Sequence, residues 1–329
     1  MKKLMGIFVI MTILVLAACG STSEQNESES SQESTEKPSL NIGYVSILAN
    51  APGIVADKQG LFNEKLNATT YGFNSGPELY QALAAGELDV AYAGVPALVN
   101  WASRGLDVEV IAKVSEGQLG VVVSEQSDIK SVDQLKGEVI AGVKRGSGVD
   151  IITRGLILPK AGLSDTDVTI QEFKQPNIEA AVETGQASAG VLNEPFLTYA
   201  LLRGKKQIVE EKDPALVVLT TKDALENKTE AVQAFIDVHK STTESLNEAN
   251  TEINQTLVDV FNIESIGDTV AEDIIKKAKE NLTFSWEFND DDFVYYQQLA
   301  DAAYELGYIE KEVDTKSLFN LDFVEGVKE

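Results

Sequence analysis

Residues 77–105 read PELYQALAAGELDVAYAGVPALVNWASRG, and residues 176–204 read PNIEAAVETGQASAGVLNEPFLTYALLRG; the two stretches align without a gap at an offset of 99. Pro77, Ala82, Gly86, Pro96, Leu98, Arg104 and Gly105 recur as Pro176, Ala181, Gly185, Pro195, Leu197, Arg203 and Gly204. Composition alone would give about two identities over such a length. The repeated prolines open helical patterns and the repeated glycines close them. A helix–strand–helix unit therefore occurs twice, which predicts two similar lobes.

Working outward from the repeat, the first unit opens with an alternating strand over Leu40–Val45, and Pro52 and Gly60 bracket a short helix. A strand near Thr69–Phe73, a helix from Pro77 to Gly86, a strand over Leu88–Ala93 and a helix from Pro96 to Gly105 follow. The second unit has the same order: strand Val139–Val143, helix from Gly148 to about Ala161, strand Val168–Phe173, helix Pro176–Gly185, strand Ala189–Leu192 and helix Pro195–Arg203. Strands alternating with helices require parallel pairing through right-handed crossovers, so the fold class is α/β with two open sheets. The apolar runs Leu119–Ser124 and Leu216–Thr221 are the candidate crossings between the lobes. This assigns residues 39–121 and 217–329 to lobe 1 and 122–216 to lobe 2. The last hundred or so residues, largely amphipathic helices, are expected on the outside of lobe 1.

The first 38 residues belong to neither lobe. Lys2 and Lys3 precede the apolar run Leu4–Leu16, which is short for a membrane span and has the form of a signal-peptide core, residues 1–18. The following Leu16-Ala17-Ala18-Cys19 resembles the lipobox of bacterial lipoproteins, and that resemblance implies a lipid on Cys19 and an extracellular, membrane-anchored protein. Residues 19–38 then form an acidic tether, since 21–37 contain no apolar side chain. A coil of that length reaches about 25 Å on average.

Cys19 is the only cysteine, so the exported domain has no disulfide and rests on packing. Loss of Lys2 and Lys3 takes the net charge from −25 to −27. A chain this acidic is repelled by nucleic acid and by anionic headgroups, which excludes nucleic-acid partners and leaves the lipid as the membrane attachment.

In open α/β sheets ligands bind beyond the carboxyl ends of the strands. The pocket loops are therefore Ser46–Ala51, Asn74–Gly76 and Gly94–Val95 in lobe 1, with Lys144–Ser147, Lys174–Gln175 and Asn193–Glu194 in lobe 2. Most lead into helix N-termini, whose unpaired N–H groups favour an anionic or strongly polar ligand. Lys144-Arg145-Gly146-Ser147-Gly148 is the sharpest local signal: the glycines admit close backbone approach, Ser147 offers a hydroxyl and Arg145 a charge. It reads equally as a strand-to-helix turn with Ser147 as N-cap, and the dinucleotide pattern fails at Ile151. The candidate ligand-binding set is Ser46, Asn50, Ser75, Gly76, Gly94, Val95, Gln118, Arg145, Gly146, Ser147, Gly148, Asn193 and Glu194.

The offset of 99 pairs Val95 with Glu194 and Ser46 with Arg145, which predicts that lobe 2 fixes the ligand's polar head. Glu194 reads equally as a helix-start residue favoured by the dipole. His239 is expected at a helix surface. Asp290-Asp291-Asp292 reads as a helix start and Glu210, Glu211 and Asp213 as an exposed turn. Trp286, Phe284 and Phe288 read as core filling. No metal site, catalytic constellation or cofactor motif can be assembled from this set.

Phe73-Asn74-Ser75-Gly76, Ala82 to Asp89, Gly94-Val95-Pro96, Asp133-Gln134-Leu135-Lys136-Gly137, Gly146-Ser147 and Ala161-Gly162-Leu163, in that order, resemble the periplasmic-binding-protein family of nitrate, sulfonate and taurine importers, which also includes receptors for thiamine-precursor pyrimidines. The resemblance runs from about Leu40 to Phe323. It implies a monomeric, two-lobed type II binding protein that closes on a small solute and delivers it to an ABC permease with its ATPase, with contacts from the loops at Ser75, Gly94 and Ser147 and from Glu194. Asn193 stands where many relatives carry Trp, which removes a stacking or packing surface. A small anion such as a sulfonate, taurine or nitrate, a thiamine-precursor pyrimidine, and an enzyme of the pyrimidine-synthase type on the same fold are the readings carried forward. The last of these lacks the cysteine-rich motif and the histidine chemistry it needs.

Overall fold

The computed structural model describes residues 37–323; Cys19, the signal segment and most of the tether lie outside the described residues. The chain runs β1 (Ser39–Val45), α1 (Ala51–Lys58), α2 (Leu61–Lys65), β2 (Asn67–Phe73), α3 (Gly76–Ala84), β3 (Val90–Gly94) and α4 (Val95–Ala102). The long β4 (Val108–Val123) leads into the second unit. That unit comprises β5 (Val139–Gly142), α5 (Gly148–Ile152), a wide π turn (Thr153–Ile157), α6 (Leu158–Lys160), β6 (Thr169–Glu172), α7 (Gln175–Glu183), β7 (Ala189–Asn193) and α8 (Phe196–Leu202). The long β8 (Lys206–Thr221) is followed by α9 (Lys222–Asn227), α10 (Thr229–Leu246), α11 (Thr251–Phe261), α12 (Ala271–Glu280), the short β9 (Thr283–Phe284) and α13 (Asp290–Glu305).

The repeat is visible in three dimensions. Gly86 and Gly185 follow α3 and α7 with φ of 73° and 71°, and Gly105 and Gly204 follow α4 and α8 with φ of 92° and 90°. This left-handed conformation is open to glycine without a Cβ penalty, which is why the same residue recurs at each stop.

The strand order is β2-β1-β3-β8-β4-β7-β5-β6. β1 pairs in parallel with β2 and β3, and β5 pairs in parallel with β6 and β7, so each unit makes its own parallel half-sheet. The two halves meet through the antiparallel pair β4 and β8, each 16 residues long. Residues 108–115 of β4 face 216–221 of β8, and 117–123 of β4 face 206–213 of β8.

The expected crossing segments lie within β4 and β8, the pair that joins the halves, but not at the changeover itself. Leu119–Val122 pairs with β7 and Leu216–Thr220 with β3, so both apolar runs are interior members of a half-sheet. The changeover in β4 falls at Ser115–Gly117, where the register shifts and β9 adds at Ser115 and Glu116. An apolar run reports burial on both faces, which a central strand has and a crossing does not require.

The C-terminal helices pack against elements of both units. α10 and α11 pack on α1, as expected, while α12 also packs on α8, and α13 packs on α4, α5 and the π turn. One core joins Ile54, Phe235, Leu257 and Ile274 under the first half-sheet. A second joins Leu79 and Leu98 of the first unit with Ile151 and Leu158 of the second through Tyr296 and Leu299 of α13. Asn289 and Asp292 form a capping box at the start of α13, so the acidic run is the helix start that its sequence predicted. Asp292 is also buried in an ion pair with Lys113 at 2.8 Å.

Candidate functional site

The carboxyl ends of β1, β2, β3, β5, β6 and β7 converge on one small chamber of about 80 Å³. The first unit contributes Asn50 from the loop after β1, Asn74, Ser75 and Gly76 from the loop after β2, and Gly94, Pro96 and Ala97 at the β3–α4 junction. From the second unit come Val143, Ser147, Gly148 and Val149 after β5, Gln175 after β6 and Asn193 at the end of β7. Each unit thus presents all three of its strand-end loops, the arrangement expected of a ligand site in an open α/β sheet.

Among the described residues, the chamber's lining contains no charged side chain. Its polarity comes from amides, hydroxyls and the N-termini of α3, α4, α5 and α7. The first turns of these helices leave N–H groups without intrahelical partners, and the helix dipoles add partial positive charge. Asn50 is fully buried; its Nδ2 donates to the Val45 carbonyl at 2.9 Å, and its Oδ1 has no protein partner. The Ser75 hydroxyl is likewise buried without a partner, and Ser75 makes no side-chain cap to α3. A buried polar atom left unpaired is costly, by about 1–3 kcal/mol, and two of them belong to residues that line this one small chamber. Gln175 Nε2 donates to Asn193 Oδ1 at 3.0 Å, fixing the amides on the opposite wall.

Ser147 lines the chamber, and its Oγ accepts from Asp150 N at 3.3 Å as the N-cap of α5. Gly146 has φ 78°, and its N–H donates to the buried Asp150 carboxylate at 2.9 Å. The same carboxylate accepts from Tyr308 Oη at 2.5 Å and from Arg154 Nε at 2.7 Å. Burial and this carboxylate push the Tyr308 phenol well above its usual range. The loop is therefore held from beneath by residues that sequence inspection passed over.

The remaining candidates are not brought to the chamber. Ser46 lines a neighbouring cleft, and Val95 is packed in the core. Gln118 lies in β4 with its amide facing the Glu210 carboxylate. The Arg145 guanidinium lies over the Tyr308 ring at 5.3 Å. Glu194 is 1% exposed, and its carboxylate accepts from Asn281 Nδ2 at 2.7 Å, Thr198 Oγ1 at 2.9 Å and Thr198 N at 3.1 Å. Burial pushes this carboxyl above its usual range against those hydrogen bonds. Neither Arg145 nor Glu194, the charged member of its repeat pair, lines the chamber.

Two surface expectations are also corrected. His239 is fully buried, with Nε2 donating to the Lys113 carbonyl at 2.8 Å and Nδ1 3.3 Å from Tyr92 Oη, and burial pulls its pKa down to about 4. Glu211 lies in β8 rather than a turn, buried and paired with Lys160 at 2.7 Å. Asn74 and Gln175 line the chamber and lie in the predicted loops, although neither was singled out. Pro96, Val143 and Leu216 supply its apolar wall, for which no motif gives a signal.

Two half-sheets joined through a shared antiparallel pair, with a polar chamber at the strand ends of both, make the fold of the periplasmic binding proteins. Residues 33–260 match the model of the NMT1-like family, and the chain belongs to that family. A protein of Bacillus subtilis named "Putative aliphatic sulfonates-binding protein" is 28% identical, covering 98% of this chain and 96% of its own. Among solved structures, the alkanesulfonate-binding protein SsuA of Xanthomonas axonopodis pv. citri superposes with a TM-score of 0.71 at 20% identity, covering 87% of this chain and 99% of that one. The nitrate-binding protein NrtA of Synechocystis PCC 6803 gives 0.66 at 17%, covering 86% and 85%.

Proposed function

We propose that this chain is the solute-binding component of an ABC importer, held at the extracellular face by a lipid on Cys19, and that it captures a small anion of the sulfonate class between two lobes, 39–121 with 217–329 and 122–216. The observation that carries this reading is the chamber: helix N-termini from loops of both units meet there, beside two unpartnered buried polar atoms from the first. An oxyanion suits the N–H groups and the Ser75 hydroxyl, and an accompanying N–H, O–H or water suits Asn50 Oδ1. The class of anion is taken from the Bacillus subtilis relative and from the alkanesulfonate-binding neighbour. The proposed mechanism is closure of the lobes, with ligand contacts on both sides favouring the form that the permease recognises. No bond is made or broken.

Calorimetry of the purified mature chain with methanesulfonate, taurine, nitrate and an aminopyrimidine tests the reading. Micromolar or tighter binding of a sulfonate is expected, with no response to the pyrimidine. Binding of the pyrimidine alone would overturn the anion assignment. Cys19→Ser should release the protein from the membrane, and continued retention would refute the anchor.

A further inference from the structure

We infer that the solute carries a second acidic group, which Lys174 holds in the cleft beside the chamber while the oxyanion head occupies the chamber itself. This rests on the proposed reading of the chamber and deepens it, because the ligand becomes a compact dianion. Ile47, Asn74 and Gln175 belong to the walls of both spaces, so the two adjoin. The chamber, at about 80 Å³, admits a head group and little more. The cleft, at about 580 Å³, lies within the roughly 300–1,000 Å³ of ordinary small-molecule sites and has room for what the head carries.

The charge of that second part follows from the cleft wall. Its ionisable lining is three basic side chains, Lys174, Arg203 and Lys205, against two acidic ones, Glu179 and Glu183, in a chain with 27 basic and 52 acidic residues. Four of the five are matched: Arg203 pairs with Glu179 at 3.2 Å and Lys205 with Glu183 at 2.5 Å. Lys174 is exposed and, among the described residues, has neither an ion pair nor a side-chain hydrogen bond. Ser46 and Asn74, on the same cleft, likewise make no side-chain hydrogen bond among the described residues. An unmatched cation accompanied by a hydroxyl and an amide attracts an anion to this one place in a molecule whose net charge repels it. The position of Lys174 in the fold supports the role. It is the extended residue that precedes the first turn of α7, as Ser75 is for α3, and both helices follow the second strand of their unit. Ser75 lines the chamber with a hydroxyl that has no partner, and the equivalent residue of the other unit brings an unpaired ammonium to the adjoining cleft. Lys144, which shares a shallow groove with Lys174, is already paired with Glu78 of the first unit at 3.6 Å.

The test is calorimetric affinity of the mature chain for pairs of ligands with equal carbon number: sulfoacetate with ethanesulfonate, 3-sulfopropionate with propanesulfonate, and 4-sulfobutyrate with butanesulfonate. Each is measured on the native protein, Lys174→Gln and Lys174→Arg. In at least one pair the carboxylate-bearing member should bind about three- to tenfold more tightly than its plain counterpart. That preference should vanish in Lys174→Gln, persist in Lys174→Arg and shrink as salt is raised. Because Lys174 is exposed, both variants should melt with the native protein. Equal or weaker binding of the carboxylate-bearing member in every pair, or a preference that survives in Lys174→Gln, would overturn the inference and leave the chamber's assignment standing. Absence of binding by all six would overturn both.

Discussion

The β3–α4 and β7–α8 junctions occupy equivalent places in the two units, yet they do different work. Gly94, Pro96 and Ala97 wall the chamber at the first. At the second, Asn193 reaches it while Glu194 turns into the body of the protein to join Thr198 and Asn281. Val95 and Glu194, one repeat apart, are equally buried, at 0% and 1% exposure. Backbone geometry fixes where that position points, and the residue type decides only what must be found there. A valine packs; a carboxylate needs hydrogen-bond donors.

The strongest way to break this comparison is Glu194→Ala. It leaves Asn281 and the Thr198 hydroxyl and N–H without their acceptor, so unfolding should become easier by about 2–3 kcal/mol, whereas Glu194→Gln should cost much less. Denaturant titration separates the two variants. Normal stability with lost ligand affinity in Glu194→Ala would return Glu194 to the binding site.

His239 sharpens the contrast between the halves, because its burial lies in the core of the first. With a folded pKa of about 4 against an unfolded value near 6.5, the unfolded chain takes up the proton first as pH falls. Stability is thus fully present above about pH 6.5 and lost as pH falls toward 4, by about 3 kcal/mol. His239→Gln, which cannot protonate, should flatten that acid limb in urea titrations taken from pH 7 to pH 4.5. An unaltered acid limb would mean that the histidine is not held neutral.

Gly148→Ala probes the smaller effect. An added Cβ meets nothing nearer than Pro96 Cγ at 3.7 Å, so the fold should tolerate it. The methyl intrudes on a chamber of about 80 Å³, and methanesulfonate affinity should fall about tenfold with little change in melting temperature. Unchanged affinity would place the head group elsewhere.

Much of this was legible in the sequence because it rests on local rules. Paired prolines and glycines gave the repeat, the order of elements gave parallel half-sheets, and the strand-end rule located the six loops, including Ser75, Gly94, Ser147 and Asn193. The losses share a cause. Arg145, Glu194, His239 and Glu211 carry side chains whose polarity alone suggests solvent or ligand, while each has partners from distant segments: Tyr308, Asn281, Lys113 and Lys160. Such pairings are decided by tertiary packing, which neither periodicity nor motif spacing reports. The one available warning was Val95, whose apolar side chain marked the equivalent position in the repeat as interior.

The central claim is that loops from both units bind one solute together, and hydrogen exchange of the mature chain with and without saturating methanesulfonate tests it most directly. Protection should appear at once in the segments around Ser75–Gly76 and Gly94–Ala97 and in those around Ser147–Val149 and Gln175. Protection confined to one unit, or falling only outside these loops, would contradict a shared chamber.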